Sequence, residues 1–135
     1  MKVLYSSKYY AGAVNTALLL LRLGVGILIV KHGYDKIANF NTLQYKFMNF
    51  MHMGSTVSLI LVIFSEFFCG ILLILGLFTR FACVPLIVGM CVALFVVHNG
   101  DVFGKGETDA LYLISFTTLL FAGPGRISLD RMIGK

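Results

Sequence analysis

Few side chains in this sequence have the chemistry to act on anything, and the most informative of them sit inside apolar stretches. Arg22 interrupts the stretch that begins at Val14, and Glu66 is the single charge between Val57 and Phe78. A charge near the centre of a bilayer costs from about 2.5 kcal/mol upward, so such residues face protein and have partners. With a rise of about 1.5 Å per residue, Arg22 lies about eight residues in from one side and Glu66 about nine in from the other. Both are therefore predicted near mid-membrane, as a buried ion pair between the first two helices. That pair either locks the two helices together or forms part of a functional polar site. His32 and Lys36 follow on the first helix and His98 closes the third apolar stretch. Arg22, His32, Lys36, Glu66 and His98 are thus the candidates for a buried polar cluster or ligand site, with Tyr112 and Glu107 as secondary candidates.

The same residues narrow the chemistry. Two histidines on different helices are the minimum for a bis-imidazole haem site, but the sequence has no Cys-x-x-Cys-His, Glu-x-x-His or His-x-x-x-His spacing, and no metal is expected. Cys69, Cys83 and Cys91 are odd in number, lie in apolar stretches and form no Cys-x-x-Cys pair, which is the usage of small buried hydrophobes. Nucleophile elbow, phosphate loop and dinucleotide fingerprint are absent. A catalyst built on this chain would have to borrow a cofactor or a partner, so an accessory subunit is the expectation and no catalytic residue can be named.

The elements that must hold these residues follow from composition. Of 135 residues, 59% are apolar and 13% charged, with a mean hydropathy of +0.91. Soluble domains carry about 25% charged and about 45 to 50% apolar residues, so this chain lacks the polar surface for water. The apolar stretches are continuous and not alternating, which argues against barrel strands. Spans are expected at about 14–36, 57–78, 81–98 and 107–123, with a polar, aromatic interfacial loop at about 37–56. The fold class is all-α: a polytopic membrane protein of one domain, with four transmembrane helices in an antiparallel four-helix bundle. Thr79-Arg80 reads as the tight connection between the second and third spans. Arg22 breaks the first stretch in a way that a signal peptide would not tolerate, so it reads as a retained helix.

The net charge of +5 comes without a basic cluster, and nucleic acid is not an expected partner. Lys2, Lys8, Arg80, Arg126, Arg131 and Lys135 fall on one side of the spans and Lys31, Lys36, Lys46 and Lys105 on the other. The excess places both termini in the cytoplasm. His32, His98, Asp101, Glu107 and Asp109 then gather toward the opposite half, where a site is expected. At 100° per residue, Gly26, Ile29, Gly33 and Lys36 share the Arg22 face of the first helix. On the third helix Gly89 and Ala93 form a small-residue patch opposite His98, and on the fourth Tyr112, Ser115, Thr118 and Ala122 form a stripe suited to joining helices.

Taken in order, His32-Gly33-Tyr34-Asp35-Lys36, Ser65-Glu66-Phe67-Phe68-Cys69-Gly70, Leu75-Gly76-Leu77-Phe78-Thr79-Arg80, His98-Asn99-Gly100 and Gly123-Pro124-Gly125-Arg126 resemble the DoxX family of small bacterial membrane proteins. The likeness runs from about Leu18 to Asp130 and departs at Cys69, where members commonly carry a second small Gly. It implies a four-helix protein of the bacterial inner (cytoplasmic) membrane. It also implies association with membrane oxidoreductase complexes, since relatives include a small subunit of a thiosulfate:quinone oxidoreductase and components of thiol and oxidative-stress complexes. Quinone is the cofactor this suggests; the expected partners are membrane lipid, a periplasmic or membrane redox protein, or further copies of the chain. None of the quoted motifs is an established catalytic centre of the family. A small oligomeric transporter with Arg22 and Glu66 at its midplane, or a non-catalytic scaffold whose 37–56 loop docks a periplasmic partner, are the alternatives.

Overall fold

A computed structural model of the chain describes residues 7–43 and 54–134, and every described element is helical. Helix α1 runs Ala11–Ala38 and is followed by a single turn, α2, at Phe40–Leu43. A second rod is built from α3 (Ser55–Ile63), a π-helical segment π1 (Phe64–Cys69) and α4 (Gly70–Leu75). A third consists of α5 (Thr79–Val92) and a second π-helical segment, π2 (Ala93–Val97). Helix α6 (Glu107–Ala122) and the short α7 (Leu129–Gly134) complete the order. Half of the polar segment expected to be an interfacial loop, from Gln44 to Met53, lies outside the described residues.

Three helices, Ala11–Ala38, Thr56–Leu75 and Thr79–Val97, are long and apolar enough to cross a membrane. Their outward faces carry Leu20, Ile27, Leu28, Ile60, Leu61, Phe81, Val84 and Val88, all exposed. Such a surface suits lipid, not water. The chain is a membrane protein. Helix α6 has 16 residues, about 24 Å at the α-helical rise, and exposes Leu111, Ile114 and Phe121 on its outer side.

Small residues set how the first two rods meet. A Cβ on Gly33 would stand 2.8 Å from the backbone nitrogen of Phe67, and one on Gly26 would stand 2.7 Å from the Ile74 side chain. Moving toward the N-terminus of α1 therefore moves toward the C-terminus of the second rod, an antiparallel crossing with the backbones in close approach. Inside, Ile29, Cys69, Leu73, Ala82, Cys83, Leu86, Met90, Tyr112, Phe116 and Leu119 form one apolar core. The inward stripe of α6 is thus Tyr112, Phe116 and Leu119. Ser115 and Thr118, expected to join helices, instead donate their hydroxyls to the carbonyls of Leu111 and Ile114 one turn back on the same helix.

The turn between the second and third rods is Gly76-Leu77-Phe78, with Thr79 and Arg80 already inside α5. Gly76 takes a left-handed conformation (φ +71°) and Leu77 N–H bonds back to the Leu72 carbonyl at 2.9 Å, a glycine stop of the Schellman kind. The C-terminal segment closes over this turn. Asp130 accepts from the N–H groups of Phe78 and Thr79 at 2.6 and 2.9 Å, and donates its own N–H to the Gly76 carbonyl at 2.8 Å. Asp130 thereby satisfies orphan donors at the start of α5, the work of a capping carboxylate supplied from elsewhere in the chain.

Candidate functional site

Arg22 and Glu66 do not pair. The guanidinium of Arg22 is buried and donates from Nη1 to the carbonyl of Pro124, beside the Gly76 turn. Glu66 instead accepts from Lys36 Nζ through both carboxylate oxygens, at 2.7 and 2.8 Å. Lys36 lies about 21 Å from Arg22 along α1. The expected pair rested on measuring depth from the first apolar residue of each stretch. The antiparallel register sets the levels instead, with Gly33 opposite Phe67 and Arg22 opposite Gly76. The apolar residues before Arg22 lie beside the returning C-terminus: Leu18 faces Gly125, and Asn15 accepts from the N–H of Arg126 at 2.9 Å. Arg22 is a clip that fastens the chain's end to the turn.

At the opposite end the helices enclose a cavity of about 220 Å³. Helix α1 contributes Ile29, His32 and Lys36; the second rod Val62, Ser65 and Glu66; the third Met90, Val97 and His98; and α6 Thr108, Asp109 and Tyr112. Two charge-bearing contacts border it. On one side Lys36 holds Glu66, whose side chain is only 4% exposed. On the other, His98 Nδ1 is hydrogen-bonded to Asp109 Oδ2. His32 lines the cavity with its ring perpendicular to that of Tyr112, centroids 5.9 Å apart, and Tyr112 stacks on Phe116.

Both π-helical segments lie on this cavity. Residues in a π turn advance through a smaller angle than in an α-helix, so faces beyond it are rotated, and such turns often mark functional sites. In π1 the segment turns Ser65 and Glu66 inward together, both buried. In π2 it brings His98 round to the side that Gly89 and Ala93 share, so all three border the cavity. Regular 100° counting puts them on opposite sides.

The cavity brings together His32, Lys36, Glu66, His98 and Tyr112. Arg22 is remote from it, and Glu107, exposed in the first turn of α6, does not border it. Thr108 and Ser65 border the cavity without having been singled out by the sequence reading, and Asp109, which that reading placed toward this half, was not among its site candidates. Asp109 carried a legible signal: it lies three residues before Tyr112 on one helical face and at a helix N-terminus, where an acid is favoured. Among the described residues, no group of three or more His, Cys, Asp and Glu side chains is placed to hold a metal ion. Cys69 and Cys83 are buried in the apolar core as free thiols.

Chemically, this is an apolar-walled chamber with hydrogen-bond donors and acceptors from all four long helical rods. The carboxylates of Glu66 and Asp109 are each held by a basic partner, so a proton or a polar guest can be exchanged against an existing contact. Apolar walls with a few placed polar groups are the usual make-up of small-molecule sites.

Comparison with known proteins agrees with the membrane architecture. An uncharacterized membrane protein of Mycobacterium tuberculosis is 37% identical over 84 residues, covering 52% of this chain and 52% of that protein. An uncharacterized protein of Haemophilus influenzae is 41% identical over 73 residues, covering 49% of this chain and 54% of that one. The chain spans about half the length of the curated relatives it matches. No solved structure gives a significant match. The DoxX family model matches residues 17–99, a stretch that holds most of α1, both π-helical segments and the Lys36, Glu66 and His98 corners of the cavity. The chain belongs to the DoxX family.

Proposed function

We propose that the cavity bordered by Lys36–Glu66 and His98–Asp109 is the head-group site for a membrane-soluble carrier of the quinone class, and that the chain serves as an integral subunit working with a membrane oxidoreductase. The observation that carries this reading is the Lys36–Glu66 salt bridge and the His98–Asp109 hydrogen bond on one apolar-walled cavity. A quinone head is a flat apolar ring with an oxygen at each end. Lys36, His98 and Tyr112 supply donors for such oxygens, and Ile29, Val62, Met90 and Val97 supply the apolar surround.

Quinone chemistry moves electrons and protons together. This chain's part is the protons: the Lys36–Glu66 and His98–Asp109 pairs each share one at the cavity wall and exchange it with a bound head group. The electrons come from a membrane or periplasmic redox protein. In this reading α6 is the fourth span of an antiparallel bundle in the bacterial inner membrane, with both termini cytoplasmic and the cavity toward the other face. The permeation alternative relied on Arg22 and Glu66 sharing a depth, and their separation leaves it without a common charged site.

The test is extraction of the protein, purified in native-like lipid, with mass spectrometry of bound small molecules and titration with a benzoquinone. Wild type retains or binds quinone with saturation. Glu66→Gln and His98→Ala weaken it at least about tenfold, equivalent to 1.4 kcal/mol. Non-saturating, partition-like uptake that is indifferent to both substitutions overturns the reading.

A further inference from the structure

A second cavity, about 320 Å³, lies between the second and third rods and differs in kind from the first. Its outer walls are Leu61, Phe64, Val84 and Val88, all apolar and all exposed on the side that faces lipid. Its inner wall is shared: Val62, Ser65, Gly89 and Val92 border this groove and the polar cavity alike. The division between the two is slight. A Cβ placed on Gly89 would meet only the Ser65 hydroxyl, at 3.4 Å, and the Ser65 hydroxyl is itself turned back onto the Val62 carbonyl at 2.9 Å.

The geometry points to the groove as the seat of the ligand's apolar tail, and to the thin wall at Gly89 and Ser65 as the place where tail and head group join. This deepens the head-group reading and rests on it. Continuity selects the occupant: an apolar groove facing lipid that shares four residues of wall with a charged chamber fits a molecule with one polar and one apolar end. A second copy of the chain would present a helix of about 10 Å diameter, which can lie over the groove but cannot reach the chamber. The substrate class is therefore a long-tailed, membrane-resident quinone, and tail length becomes a determinant of affinity.

The experiment uses full-length protein in lipid nanodiscs and two probes, tetramethyl-benzoquinone and a quinone of matching head group with a decyl tail, with affinities corrected for partition into empty nanodiscs. Wild type and Gly89→Ala prefer the decyl quinone by about tenfold or more. Gly89→Leu, which puts a side chain into the shared wall, removes most of that preference; Val88→Phe, which crowds the exposed lip and does not border the polar cavity, removes it while leaving tetramethyl-benzoquinone binding within about twofold. Because Val88 lies on the outer surface, its variant keeps the test open should Gly89→Leu fail to fold. Equal binding of the two probes to wild type, or equal loss of both in Val88→Phe, overturns the tail site while leaving the head-group reading standing. A dimer that Val88→Phe dissolves, without any tail preference, overturns it in favour of a second copy. Binding of neither probe overturns both readings together.

Discussion

Lys36 and Glu66 show what an ion pair costs and gives in an apolar interior. Glu66 spends both carboxylate oxygens on one ammonium, while Lys36 keeps a quarter of its side chain exposed. Removing one partner of a buried pair strands the other charge, whereas removing both relieves the desolvation cost. Lys36→Met is therefore expected to lower stability by about 3 kcal/mol, and Lys36→Met with Glu66→Gln to regain much of it, as read from thermal melting in detergent. Arg22 belongs to a different neighbourhood. Combining Arg22→Met with Glu66→Gln should give losses that add within about 0.5 kcal/mol, since sites that share no partner seldom couple. A coupling well beyond that value would mean that the two charges communicate after all.

At the scale of elements, the close contacts between backbones matter more than propensity. Gly33 is where α1 meets π1, and any side chain there enters the space of the Phe67 backbone. Gly33→Ala should cost about 1 to 3 kcal/mol, the range for overpacking a tight interface, and also displace Glu66 one residue away; quinone binding and melting temperature should fall together. Asp130 is the other hinge of the architecture. Asp130→Ala leaves the Phe78 and Thr79 N–H groups without their acceptor and frees the chain's end from the Gly76 turn. The expected loss is about 1 to 2 kcal/mol, the range for a helix cap, with faster proteolysis near Arg126 as the visible sign. Intact resistance at Arg126 in that variant would show that the Arg22 contact to Pro124 holds the end by itself.

For the whole molecule, the open measurement is how often the chain crosses the bilayer. Tyr9 and Phe103 are 85% and 95% exposed, and Met132 is 80% exposed near the other terminus. In a background with Cys69, Cys83 and Cys91 replaced by alanine, Tyr9→Cys, Phe103→Cys and Met132→Cys can each be labelled with a membrane-impermeant maleimide. Phe103→Cys should react in intact cells, and the other two only after permeabilisation. Phe103→Cys and Met132→Cys behaving alike would mean that α6 does not cross. The outcome also fixes which membrane face the cavity approaches.

The sequence by itself determined the class of molecule and pointed to several residues that the structure brings to one cavity. Continuous apolar stretches with isolated charges require a membrane and a polar interior, because the stretches belong in lipid and lipid offers those charges no place. Glu66 was legible for that reason, Lys36 from the helix face it shares with Gly26, Ile29 and Gly33, and His32 and His98 from their place at the same end of their helices. What only the tertiary structure decided was who meets whom. Depth along a helix is set by the register of its neighbours, which Gly33 against the Phe67 backbone and Gly76 against the Arg22 guanidinium establish through close contact. No count along a single stretch contains that information. The π turns acted in the same way: they rotated Ser65, Glu66 and His98 onto one cavity, and a period of 100° per residue has no means of anticipating the shift. Asp109 needed both, since a carboxylate at a helix start acquires a role only when a histidine from another helix is brought against it.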